Sequence, residues 1–115
     1  MHLEAVVLEN CWYSKELITL LNKNNININY ISVSQSDKHK YKTNDLTTFP
    51  QVYLINDTKR ILIGGYDDIS KIINIINTRD YKYITQNISS KYNMLSKNTQ
   101  LRLIKFFIKK GKHKS

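Results

Sequence analysis

The hydrophobic pattern switches between two periods along the chain, and turn-forming residues mark the switches. Leu3 to Leu8 is a short apolar run with paired valines, of the length and type of a buried strand, and Glu9-Asn10 ends it. Tyr13, Leu17, Leu20 and Leu21 then recur at helical spacing, which predicts a helix from Trp12 to Asn22 closed by Lys23-Asn24-Asn25. Ile26, Ile28 and Tyr30 alternate with asparagines and predict a second strand. Ser34 to Asp45 is polar, with Asp37 and Tyr41 placed for a short helix. Gln51 to Ile55 and Arg60 to Ile63 flank the turn signal Asn56-Asp57, so they predict an antiparallel hairpin that Gly64-Gly65 stops. Asp67-Asp68 then opens a helix through Ile69, Ile72, Ile73 and Ile76, where acidic residues suit the positive end of the helix.

Beyond Asn77 the apolar signal is sparser. Leu101, Ile104 and Ile108 share one helical face, which Leu103, Phe106 and Phe107 broaden, so one amphipathic helix is predicted from about Ser96 to Lys110. These are too many large apolar groups to leave in water. The expectation is a helix docked on the preceding body or on a second copy of the chain, leaving the chemistry of the body largely unaffected if it is removed.

Charge sharpens the division. Eight Lys/Arg and eight Asp/Glu cancel in residues 1–77, whereas residues 78–115 hold ten basic residues against Asp80 alone. The organisation expected is a body over 1–77 and a basic, helical C-terminal extension over 78–115. At 115 residues with 41% hydrophobic content the chain suffices for one compact domain. No apolar run approaches the roughly 18 residues of a membrane span. Met1-His2-Leu3-Glu4 lacks the basic start of a signal peptide, so a cytoplasmic protein is expected, and the sequon Asn87-Ile88-Ser89 is discounted. His2, His39 and His113 have no ligand spacing, so no metal site is predicted, and no Walker or Rossmann glycine pattern occurs.

Cys11 is the only cysteine, so any disulfide it forms is intermolecular: with glutathione, a protein or a second copy. It stands where a strand hands over to a helix, facing unsatisfied backbone N–H groups and the positive end of the dipole, a setting that stabilises negative charge on sulfur. Three fragments follow in order: Cys11-Trp12-Tyr13-Ser14 after the first strand, Thr48-Phe49-Pro50 before the third, and Gly64-Gly65-Tyr66-Asp67-Asp68 before the last helix of the body.

Over residues 3–77 the chain resembles the glutaredoxin family in these three landmarks and their separations. The resemblance implies an α/β, thioredoxin-like fold: a four-stranded mixed sheet flanked by helices. It implies a glutathione-dependent thiol–disulfide oxidoreductase with Cys11 as nucleophile. Tyr13, Thr48, Phe49, Pro50, Tyr66 and Asp67 would bind glutathione, with a cis Phe49-Pro50 bond turning the backbone of Phe49 toward the ligand. Tyr66 and Asp67 would meet its γ-glutamyl end, while Asp68 caps the helix. Because Ser14 replaces the second cysteine of dithiol relatives, the resemblance is to the monothiol type, whose partners are glutathione and glutathionylated proteins.

Leu8 departs from the pattern, standing where the family usually carries lysine, with Glu9 beside it; Thr47 is neutral where relatives often carry Arg, Lys or Gln. Lys38, Lys40 or Lys42 are the candidate replacements. A second reading is a [2Fe–2S] carrier, in which a homodimer holds the cluster through its cysteines and glutathione. It is not favoured, since the Cys-Gly-Phe-Ser marker and its preceding insertion are absent. A third is a binding module in which the extension, with Tyr81, Tyr83, Tyr92, Phe106 and Phe107 among its lysines, contacts nucleic acid or an anionic membrane; this too is not favoured.

Overall fold

The computed structural model describes residues 1–42 and 47–108. The chain runs β1 (His2–Leu8), α1 (Trp12–Lys23), β2 (Asn29–Val33), a short 3-10 helix (Gln35–Tyr41), β3 (Gln51–Asn56), β4 (Lys59–Gly64), α2 (Tyr66–Thr78), α3 (Tyr81–Lys91) and α4 (Lys97–Phe106). This is an α/β protein with one four-stranded mixed sheet in the order β2-β1-β3-β4. β1 pairs parallel with β2, from Glu4 opposite Asn29 to Leu8 opposite Val33, and antiparallel with β3, from His2 opposite Ile55 to Val6 opposite Gln51.

The central position of β1 explains its apolar run, which only Glu4, paired with Arg60 (3.1 Å), interrupts. Leu3, Ala5 and Val7 join the main core on one face of the sheet with Leu17, Leu21, Ile69, Ile72 and Ile73 of the helices. Val6 points the other way, into a smaller cluster with Val33 and Phe49, to which Tyr41, Tyr53 and Cys11 add. A strand buried on both faces needs apolar residues at consecutive positions rather than in alternation. At the hairpin, Asp57 takes the left-handed conformation (φ 56°), which aspartate tolerates better than most residues.

Two expectations need correction. The second strand starts at Asn29 rather than near Ile26, which is buried in the main core ahead of the strand. The single helix expected over Ser96–Lys110 is the second of two: α3 precedes it, and α4 ends at Phe106, with residues 109–110 outside the described part. Asp80 caps α3 by accepting the Tyr83 N–H (2.8 Å), and Ser96 caps α4 by accepting that of Thr99 (3.2 Å). On α4 Gln100 is buried, and its side-chain amide donates to the carbonyls of Leu95 (2.9 Å) and Tyr92 (3.2 Å), satisfying the turn that connects the two helices. Ile84, Ile88, Tyr92, Leu95, Leu103, Ile104 and Phe107 belong to the same core cluster as the sheet. The charge boundary at residue 77 is therefore not a packing boundary. Among the described residues no helix is long and apolar enough to cross a membrane.

Candidate functional site

The nucleophile candidate is set by the turn between β1 and α1. The Glu9 N–H donates to the Val33 carbonyl (2.8 Å), keeping the chain beside β2 one residue past the strand. Asn10 then takes a left-handed conformation (φ 58°), and Cys11 follows in extended geometry as the N-cap of α1, its carbonyl accepting the Lys15 N–H (3.1 Å). The sulfur is half-buried. It lies 4.0 Å from the carbonyl oxygen of Phe49, which brings the loop before β3 across the start of α1.

That loop is held from beneath. The Phe49–Pro50 peptide bond is cis, as the resemblance implies, and both side chains are buried. Gln51, 1% exposed, donates its side-chain N–H groups to the carbonyls of Tyr41 (2.9 Å) and Thr48 (3.2 Å) and accepts from the Tyr53 hydroxyl (2.9 Å). A buried amide with all three contacts satisfied fixes the loop against the 3-10 helix and β3.

The third landmark forms the opposite wall. Gly64 adopts φ +149°, and a Cβ there would lie 2.3 Å from Asp68 Oδ2, so only glycine fits. Asp68 Oδ2 instead accepts the Gly65 N–H (3.0 Å), closing the start of α2 in the capping role expected for it. Asp67 is exposed and, among the described residues, has no hydrogen bond or ion pair. Tyr13 stands between the walls, its ring 4.9 Å edge-on from Trp12 and 6.0 Å from Tyr66.

Together these elements enclose a groove of about 300 Å³ lined by Tyr13, Thr48, Phe49, Pro50, Gly65, Tyr66, Asp67 and Asp68. All six residues expected to bind glutathione are among them, with Cys11 at the groove's edge through its contact with Phe49. A larger trough of about 560 Å³ between α3 and α4 contains none of them.

Ser14 is 1% exposed, and its Oγ accepts the Leu8 N–H (3.0 Å), tying the first turn of α1 to the end of β1. The position of a second cysteine is thus filled by a structural hydroxyl. Lys38, Lys40 and Lys42 do not line the groove, and Lys40 pairs with Asp37 on its own short helix (3.2 Å).

Sequence reasoning missed the link from this site to the extension. Lys91 at the end of α3 pairs with Asp68 Oδ1 (2.5 Å), and the neighbouring Tyr92 hydroxyl donates to the Ile63 carbonyl (2.9 Å) on the strand leading into Gly64. Burial raises the Asp68 carboxyl, but the Lys91 and Gly65 hydrogen bonds and the charges of Lys91 and Lys71 outweigh it and hold it below the usual value. Burial, helped by the Asp68 charge, raises the Tyr92 hydroxyl, which keeps its proton and its donor role. A separable extension does not predict these contacts. Asp80 and the spacing of Tyr81, Ile84 and Ile88 were the available signal for α3, but two aliphatic residues among lysines and serines make a faint stripe. Among the described residues no group of three or more His, Cys, Asp and Glu gathers to hold a metal. No protein-family model matches the chain, and no curated protein sequence matches it.

Proposed function

We propose that the chain is a monothiol, glutaredoxin-type oxidoreductase on a thioredoxin-like fold, acting on protein–glutathione mixed disulfides. One observation carries the reading: residues from three separate sequence landmarks line a single groove, and the only thiol in the chain sits at its edge.

In this reading the backbone of Thr48 and Phe49 pairs with the cysteinyl part of glutathione in the manner of an added strand. The start of α2 offers the Tyr66 and Asp67 N–H groups to the γ-glutamyl carboxylate, and the Asp67 carboxylate meets the ligand's amino group. Tyr13 covers the tripeptide from the side. The Cys11 thiolate attacks the glutathione sulfur of a protein–glutathione disulfide. That S–S bond breaks, the protein leaves as a thiolate and takes up a proton, and Cys11 is joined to glutathione. The thiolate of a second glutathione then attacks the bound glutathione sulfur, yielding oxidised glutathione and free Cys11. With serine at position 14 and no second cysteine in the sequence, no thiol of the chain can release a trapped protein–Cys11 disulfide.

The test is glutathione-dependent turnover of a glutathionylated peptide, together with the intact mass after treatment with oxidised glutathione. Wild type gains one glutathione and turns over, and Cys11→Ser does neither. Undiminished turnover by Cys11→Ser overturns the proposal.

A further inference from the structure

We propose that Lys91, on the first helix of the basic extension, is a positioning residue for the groove: it neutralises Asp68 so that the start of α2 can receive a carboxylate. The inference rests on the glutathione reading above and adds a residue which that reading does not contain.

Two acidic side chains stand at the start of α2, and both line the groove. A helix start favours a negative charge, but its partial positive charge is only about half a unit. Asp67 and Asp68 together over-compensate it, and an incoming carboxylate would then meet net repulsion. Lys91 removes one of the two. Its ammonium lies 2.5 Å from Asp68 Oδ1, while the other oxygen, Oδ2, takes the Gly65 N–H at 3.0 Å. Asp68 is thereby spent on the protein, leaving Asp67 as the groove's unpaired carboxylate among the described residues. Lys71, on α2 itself, adds a weaker positive charge without a contact.

The placement of Lys91 is secured by its neighbours. Tyr92 is 3% exposed and bonded to the Ile63 carbonyl, and the Lys91 ammonium lies 5.6 Å from the Tyr92 ring centroid, a cation–π contact. Ile88, one turn earlier on α3, is fully buried. Docking of the extension therefore delivers one cation to one carboxylate of the groove.

The test is full-chain kinetics with glutathione as the varied substrate, for wild type, Lys91→Met, Lys91→Arg, Asp68→Asn and the double variant Asp68→Asn/Lys91→Met. Because both partners of the pair are partly exposed, the expected rise in glutathione KM for Lys91→Met is about two- to fivefold, with kcat little changed. Lys91→Arg restores the wild-type KM. In the Asp68→Asn background, Lys91→Met has no further effect, since no charge remains to neutralise. Leu103→Ala, a core truncation outside the groove, controls for stability: it lowers Tm without moving KM. An unchanged KM in Lys91→Met, an equal rise in the Asp68→Asn background, or a KM that follows Tm in Leu103→Ala as well overturns the inference while leaving the glutathione reading intact. A wild type that forms no mixed disulfide and shows no turnover fails the glutathione reading itself, and this inference with it.

Discussion

Residues 1–77 bury a sheet between an extensive helical core and a smaller cluster, and their charges cancel. Residues 78–108 are two short helices with six basic side chains against Asp80. The first region supplies every residue of the groove; the second supplies none of its lining yet reaches it through Lys91. Charge composition and packing thus divide the chain differently. Lysines on α3 and α4 mark the region as distinct, but its apolar face is continuous with the core beneath the sheet. A surface charge tolerates many arrangements at little cost, whereas a buried aromatic tolerates few.

Removing the apolar side of the extension breaks the comparison most severely. Phe107 is 1% exposed at the end of α4, and Phe107→Ala is expected to cost about 3–5 kcal/mol in urea unfolding. If the extension were a free arm, unfolding of the body would be unchanged by that substitution. Within the groove the next largest effect separates two adjacent carboxylates. Asp67→Ala, which removes the carboxylate left unpaired among the described residues, is expected to raise the glutathione KM about tenfold through loss of the proposed charge-assisted hydrogen bond. Asp68→Ala raises it less and instead lowers Tm, because the cap of α2 and the tie to α3 are both lost. Equal effects on KM would assign the ligand's amino group to the wrong residue.

A smaller change tests the seam itself. Tyr92→Phe deletes only the hydroxyl that Ile63 accepts and is expected to cost about 1 kcal/mol in the same unfolding assay. Smallest is the acid response of the Asp68–Lys91 pair. The Asp68 carboxyl is lowered in the folded protein, so the unfolded chain binds its proton first as pH falls. The pair's contribution is complete above the unfolded value of about 3.9 and is lost as pH drops through the lower folded value. Wild type and Lys91→Met should accordingly converge in stability below that window. A difference that persists unchanged at acid pH would show that Lys91 acts by packing rather than charge.

Local pattern was enough for most of the body, the start of β2 excepted. β1, α1, the β3–β4 hairpin and α2 all follow from periodicity and turn residues, and the strand-to-helix position of Cys11 follows with them. Their signals are short-range: a strand buried on both faces carries apolar residues at consecutive positions, as Ala5 to Leu8 do, and a Gly-Gly-x-Asp-Asp run turns and caps. The grouping of Tyr13, Thr48, Phe49, Pro50, Tyr66 and Asp67 was legible only as a resemblance, since no local rule brings residues so far apart in the chain to one groove.

Tertiary structure alone decided the remainder. Gln51 reads as an ordinary strand residue, yet its burial and three hydrogen bonds hold the loop beside Cys11. Ser14 reads as a missing cysteine, yet its hydroxyl closes the β1–α1 turn. Lys91 is one of ten basic residues in its region and has no sequence feature to distinguish it; the packing of α3 against the start of α2 selects it. The physical reason is common to all three. A hydrophobic residue announces its burial by type and spacing, because water excludes it wherever the chain folds. A polar residue gains a role only when a particular donor or acceptor arrives within about 3 Å, and that distance is set by the packing of the whole chain.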